Sequence, residues 1–455
     1  MTLEIKTPGS GPLLMEDAVH FTGNAEEFGP IWRRLSMMKF RILMLSLLLP
    51  GMLGLPVAMA QGKKDFWDLS PFFYSDTAPT DALAVLQKRI EAGEIDVSKH
   101  YGMKSLQLVL GALNIPVESQ VLVFSKTSLQ NDRIGPATPR ALYFSEDAYV
   151  GYVPSGHIEV IIHDAILGPV FYLISQGRED SLEIRRDTNR CLSCHATART
   201  EDVPGMLIRS VYAQESGHPV LQWGTHDVHH ETPVADRWGG WYVTGRSAMP
   251  HLGNRVFAND SPLTPSSIPI RSVAGLVDTR PYPRPSSDIV ALLVLEHQVK
   301  MHNLINAAGW NYRRSLHFMK QLNPDVAEGD GSAGGVADRG AEQIVDYLFF
   351  KDEADLGEGV EGDAGFQQQW INRFPKSKAG ESLAEFRLYG RIFKNRCSYM
   401  VYSDAFRGMP LVLRKKVIAR MKQVLRGEIT GFEYLKPSER GRIDGILSET
   451  LDGWK

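Results

Sequence analysis

Two thiols and an imidazole stand together at Cys191-Leu192-Ser193-Cys194-His195. The pattern C-x-x-C-H is the attachment signature of a c-type haem. Thiols three positions apart share one helical turn, which suits addition to the two vinyl groups of one macrocycle. The imidazole that follows then lies under the iron as its proximal ligand. Two other chemistries use a C-x-x-C pair. Half of a zinc site would need two further ligands, and the chain has no second C-x-x-C or Cys-His pair. A thioredoxin-type dithiol follows a strand in a βαβ pattern, whereas this motif follows the polar stretch Arg185-Arg186-Asp187-Thr188-Asn189-Arg190. One covalent haem c is therefore the cofactor expected, held by Cys191 and Cys194 and ligated by His195. The third cysteine, Cys397, has no partner thiol left and reads as a small buried residue.

The iron's sixth position decides what such a group can do. With both axial sites filled it carries electrons; with one open it binds oxygen, peroxide or another small molecule. His297, Met301 and His302 fall in one stretch, Glu296 to Asn303, that reads as helix. His297 and Met301 are four apart and share a face, while His302 lies about 140° round from His297. One iron therefore cannot take both histidines. The run is not H-E-x-x-H, because the Glu precedes the first His. His251, after the aromatic and Gly-rich run Trp238 to Gly245, is another distal candidate. If the distal side is open, His251 and Arg255 could serve as acid/base and charge stabiliser. His226, His229 and His230 form a further cluster, read as a surface patch because nothing around it is helical. For each of these histidines the bland alternative is an imidazole bonded within a packed core.

The elements that must position these groups follow from pattern. The reading is α+β: an N-terminal antiparallel β-meander with short helices, an irregular haem-binding middle, and a helical C-terminal region. Helices are expected over Asp81–Gly93 and Lys104–Leu113. Strands are expected over Val121–Phe124, Ala141–Phe144, Ala148–Val153, Ile158–Ile162 and Val170–Ile174, at roughly ten-residue spacing. The motif itself should sit on a short helix. Gly205–Ala213 and Pro219–Trp223 should form a hairpin, and 224–285 an irregular stretch. From Ser287, as cap, a helix should run to about Ala308. Residues 326–340 read as a flexible connection and Asp352–Gly365 as a solvated acidic loop without EF-hand spacing. Further helices are expected over Ala341–Lys351, Leu383–Asn395, Leu411–Gly427 and Glu439–Leu451.

Composition excludes some classes. The 455 residues are 43% hydrophobic and 23% charged, with a net charge of −3. That is an ordinary globular profile with no basic surface for a nucleic acid. Lys39 and Arg41, the apolar run Ile42–Val57 and Ala58-Met59-Ala60 read as a secretory signal over 37–60. Cleavage there would leave no membrane span; an uncleaved signal would tether the chain to the membrane. Residues 1–36 are too acidic for a leader and read as a non-native extension. The expected divisions are 61–185 as an α+β domain, 186–285 as the haem-binding region and 286–455 as a helical region packed on it. Export to the periplasm agrees with haem c, and it implies a redox partner protein in that compartment.

Several stretches together resemble a family of exported bacterial mono-haem c-type cytochrome-like proteins with no named activity. They are Phe124–Gln130, the haem motif, Pro204-Gly205 with Arg209–Tyr212, Trp238–Gly245, Glu296–Asn303 and Cys397–Ser403. The resemblance covers nearly all of 65–427. It implies that His195, His251, His297, His302 and Cys397 occupy recurring positions. Where relatives tend to have Thr-His-Gly, this chain has Arg246-Ser247-Ala248, so no histidine there can be its distal ligand.

Overall fold

The computed structural model describes residues 65–98, 100–176, 182–258 and 264–455. The extension 1–36 and the signal 37–60 lie outside them. Asp81 caps α1 (Ala82–Glu91) by accepting from the Leu83 and Ala84 amides, as an N-cap carboxylate should. After α2 (Met103–Ala112) come β1 (Val121–Val123), β2 (Arg140–Phe144), β3 (Ala148–Tyr152), β4 (Ile158–Asp164), β5 (Gly168–Gln176) and β6 (Leu182–Arg186). Then follow α3 (Leu192–His195), β7 (Arg209–Val211), β8 (Thr225–Asp227), β9 (Trp241–Tyr242) and β10 (Arg246–Ser247). The C-terminal part holds α4 (Ile289–Leu322), α5 (Gly331–Leu348), β11 (Val360–Glu361), α6 (Ala364–Asn372), α7 (Asp404–Arg407), α8 (Leu411–Arg426) and α9 (Pro437–Thr450). The protein is thus mixed α and β, with an antiparallel sheet in its N-terminal half and helices in its C-terminal region.

The main sheet runs β6-β5-β4-β3-β2-β1-β9, antiparallel throughout. Its first six strands are the expected meander plus β6, which the polar stretch had hidden. The seventh, β9, comes from the irregular middle, and the described residues form one compact unit. Strand alternation gives the sheet two faces. Ile158, Val160 and Ile162 enter a core with Leu83, Leu86, Leu106 and Val109 of the two N-terminal helices. Glu159, Ile161 and His163 point the other way, toward α4.

α4 is the central post. Nearly every residue from Ile289 to Tyr312 is buried, so the helix is covered on all sides rather than along one stripe. It packs most heavily on α5 and also on α6, α7, α8 and β11. Its cap is Asp288, which accepts from the Ala291 amide at 2.9 Å, not Ser287. The Ser287 hydroxyl instead joins β1 to β9, donating to the Tyr242 carbonyl at 2.6 Å and accepting from the Leu122 amide at 2.8 Å. α4 also runs well past Ala308. The Gly-rich stretch expected to be a flexible connection is largely the first half of α5, where glycine permits close approach. A Cβ on Gly340 would meet that of Ala308 at 2.8 Å. The acidic loop carries β11 and the start of α6. Residues 383–395 form no helix; Phe386 bridges Phe393 across a turn containing Leu388 and Gly390, both at positive φ.

Candidate functional site

Cys191 precedes α3, and its amide donates to the Asp187 carboxylate at 2.9 Å. That bond, with Asn189 donating to the same oxygen, turns the chain from β6 into the motif. The His195 amide then bonds the Cys191 carbonyl at 3.0 Å, closing the turn. Cys191 is partly buried, Cys194 is exposed, and neither is in a disulfide. Burial pushes the Cys191 thiol up to about 12, with the Asp187 charge adding to it.

His195 is oriented from behind. Its Nδ1 lies 2.9 Å from the Gly205 carbonyl. A carbonyl only accepts, so Nδ1 carries the proton and Nε2 keeps its lone pair, the state a metal-ligating imidazole needs. Burial, which favours the neutral form, holds the ring below the ordinary imidazole range against the upward pull of that carbonyl. The carbonyl is itself fixed by α4. Asn303 accepts from the Met206 amide at 2.9 Å and donates to the Met206 carbonyl at 2.7 Å, and Asn306 donates to the Pro204 carbonyl at 2.5 Å. A Cβ on Gly205 would come within 2.7 Å of the Thr200 Cβ and 2.9 Å of Asn303 Oδ1. Gly205→Ala should therefore displace the carbonyl behind His195 and destabilise the fold by about 1–3 kcal/mol. Urea unfolding checks the second effect, and the optical spectrum of the holoprotein checks the first.

Cys191, Cys194 and His195 line one cavity of about 360 Å³, set between the α4-facing side of the sheet and the segment 206–209. That lies within the roughly 300–1,000 Å³ of ordinary cofactor pockets. Its walls include Val123, Leu142, Ile161, Phe171, Trp241 and Leu295, while Lys126, Arg140, Arg190 and Arg209 bring positive charge. Arg140 is paired with Glu159 at 2.7 Å. An apolar slot with two thiols, an available imidazole nitrogen and cations to meet carboxylates fits a haem. Sequence reading had not singled out Met206, Tyr149 or Arg140, and had quoted Arg209 only as part of the family resemblance. Met206 adjoins the Pro204-Gly205 pair, and Tyr149 shares a strand face with Gly151, so only the register of the sheet brings them in.

The four distal candidates are placed elsewhere. None of His297, His302, His251 or Met301 lines the cavity; His195 is its only imidazole among the described lining residues. His297 lies 2.8 Å from His230 through their Nδ1 atoms and 2.7 Å from Ser398 Oγ. His302 bonds the Tyr149 hydroxyl through Nδ1 at 2.7 Å. His251 packs edge-on against Trp238 and accepts from the Gly253 amide at 3.1 Å. Met301 is fully buried in the helical core. Arg255 bonds the Thr264 carbonyl and lies over Phe257, likewise away from the cavity. The surface histidine patch holds for only part of its cluster. His226 and His229 are partly exposed, but His230 is fully buried between His297 and Tyr347. Cys397 is fully buried, as expected.

Among the described residues no group of three or more His, Cys, Asp or Glu side chains converges on a metal-sized site. No described helix is long and apolar enough to cross a membrane. A scan of protein-family models finds no match, and neither does a search of curated proteins or of solved structures.

Proposed function

We propose that this chain is an exported c-type cytochrome that binds one haem covalently and passes electrons between partners in the periplasm. The observation that carries the reading is the convergence of Cys191, Cys194 and His195 on one apolar cavity, with His195 held by Gly205 so that its Nε2 is free. The haem would supply a one-electron couple at its iron. The chain's own residues do the rest. The two cysteines anchor the group, His195 ligates it, and the apolar walls exclude water. Arg209, Arg190 and Lys126 meet its carboxylates. Cys194 is exposed, which leaves one edge at the surface for a redox partner.

A second reading, a haem-dependent oxidoreductase or small-ligand sensor open on the sixth side, draws on one observation: no second imidazole lines the cavity among the described residues. Optical spectra decide between them. A pyridine haemochrome of the purified protein should show a c-type band at one haem per chain, and its absence overturns both readings. A ferrous spectrum indifferent to carbon monoxide supports the electron carrier, in which Met206, a thioether on the cavity wall, would complete the iron. A carbon monoxide adduct supports the open site.

A further inference from the structure

The ion pair Arg140–Glu159 stands in the cavity wall, and neither the anchor nor the proximal imidazole accounts for it. The sheet register builds it. Arg140 on β2 and Glu159 on β4 are separated by β3, where Gly151 pairs with Leu142 on one side and with Glu159 on the other. All of them share the cavity face. A Cβ on Gly151 would come within 3.2 Å of Glu159 Oε2 and 3.3 Å of Leu142 Cδ2. The missing side chain thus leaves the space over β3 across which the two charges meet, at 2.7 Å.

The two partners are satisfied unequally. Glu159 is fully used. Its Oε1 accepts from Ser128 Oγ at 2.8 Å and from Gln130 Nε2 at 2.8 Å, and its Oε2 accepts from Arg140 Nη1 at 2.7 Å. Gln130 is itself pinned, because its Nε2 also donates to the His157 carbonyl at 3.2 Å and its Oε1 accepts from the His157 amide at 2.7 Å. Burial alone would raise the Glu159 carboxyl, but Arg140 and the two side-chain donors hold it below the ordinary carboxylate range. Arg140 spends only Nη1. Its Nε is buried without a partner, and its Nη2 makes no bond among the described residues. An unsatisfied buried donor is costly and calls for an explanation. Nε and Nη2 form one edge of the planar guanidinium, and such an edge takes a carboxylate through two parallel bonds. Arg186, Arg284, Arg391, Arg420 and Arg440 also bury an unpartnered Nε, and none of them lines this cavity.

We infer that Arg140 is a carboxylate subsite inside the cavity, with Glu159 the positioning residue that presents its free edge. The pair is not sealed: 19% and 21% of the two side chains stay exposed, so a ligand in the cavity reaches Arg140 without opening the fold. Glu159 cancels the Arg140 charge, so Arg140 supplies direction rather than net attraction. The attraction comes from the rest of the lining, where Lys126, Arg190 and Arg209 stand with no carboxylate but Glu159. An apolar body carrying carboxylates is the ligand class that this wall suits. On the proposed function the carboxylate at Arg140 belongs to the haem anchored at Cys191 and Cys194, and the second haem carboxylate is left to Lys126, Arg190 and Arg209. The identity of the carrier rests on that reading; the subsite rests on the wall alone.

Resonance Raman spectra of the holoprotein read the contact directly, because the bending band of the haem carboxylates follows the hydrogen bonds they accept. The band should move to lower frequency in Arg140→Gln. Arg140→Lys keeps the charge but not the planar edge, so it should move the band by an intermediate amount, and it decides the matter alone if Arg140→Gln does not fold. A band at the wild-type frequency in the variants that fold overturns the subsite. Glu159→Ala, which frees the guanidinium to turn, should shift the band as Arg140→Gln does, and Glu159→Gln, which keeps an acceptor for Nη1, should restore most of it. No shift in Glu159→Ala overturns the positioning role. Failure of the haem reading shows separately, as a missing c-type haemochrome. The protein as purified is then titrated with benzoate labelled with carbon-13 at its carboxyl, followed by nuclear magnetic resonance. Affinity should fall by about tenfold or more in Arg140→Gln, as the loss of a charge-assisted contact predicts. Equal affinity in wild type and variant overturns the subsite whatever the protein carries.

Discussion

Replacing Cys191 and Cys194 together with Ala should abolish covalent haem. After denaturing electrophoresis, the wild-type band should retain haem peroxidase stain and the double variant should have none. The argument is stoichiometric: each thioether consumes one thiol, and the chain has three cysteines, of which Cys397 is fully buried in the helical core. Burial holds the Cys397 thiol well above its ordinary value, so it is neither nucleophilic nor accessible. Cys397→Ala should accordingly keep the full stain while losing some stability to the cavity it leaves. Cys194→Ala alone should leave a partly retained, single-thioether haem. A stained band in the double variant would refute the anchor assignment, whatever the spectrum of the folded protein.

The motif behind the proposed anchor was legible because its pattern is local. Three residues within five positions state a reaction, and no tertiary contact is needed to read them. The meander was legible for a similar reason: strands such as Ile158–Asp164 alternate cleanly, and each face has one environment. The distal candidates were not. His297 and His302 stand on a helix buried all round, where polar side chains answer to partners far away in sequence. Glu296 answers to Arg237 and Trp238, His297 to His230 and Ser398, Gln298 to Ser145, Tyr149 and Tyr399, and Asn303 to Met206. A helical wheel separates His297 from His302 correctly but does not tell which sector meets the cavity. In the structure Leu295 and Val299 take that sector. Glycine misled in another way. Gly334 and Gly340 looked like linker residues, yet they lie inside α5 because a Cβ would strike the Gly329 carbonyl or Ala308. Between 383 and 395 an apolar rhythm suggested a helix, and tertiary pairing of Phe386 with Phe393 overrode it.

The same buried helix supplies the largest expected stability effect. Arg237 and Glu296 form an ion pair at 3.0 Å, with 1% and 0% of their side chains exposed. Arg237 also donates to the Thr232 and His230 carbonyls, and Glu296 accepts from Trp238 Nε1. Arg237→Met should destabilise the protein by about 3–5 kcal/mol, because it strands a carboxylate in the interior. The sign of the pH dependence follows from the carboxylate. Burial already pushes Glu296 up to about 7 against the pull of Arg237, and removing that cation raises it further. A carboxyl raised above its unfolded value costs most above its folded pKa, where the native state must hold the charge. The cost shrinks as pH falls toward the unfolded value, because the native state takes up the proton first. The deficit of Arg237→Met, measured by urea unfolding, should therefore be larger at pH 8 than at pH 5.5. Arg237→Met with Glu296→Met should recover part of the loss but not all, since the Thr232 and His230 carbonyls and the Trp238 indole remain unpaired. Equal deficits at both pH values would mean that Glu296 is protonated throughout, and the contact would then be a hydrogen bond from the Arg237 cation to a neutral carboxyl. The consequence reaches the cavity, because this pair ties α4 to the segment that continues into β9. Trp241 on that strand lines the cavity and donates to the Arg209 carbonyl at 2.8 Å. Loss of the pair should thus loosen a wall of the candidate cavity some distance from the two residues changed; under the proposed function, the variant's haem spectrum should broaden before the protein unfolds.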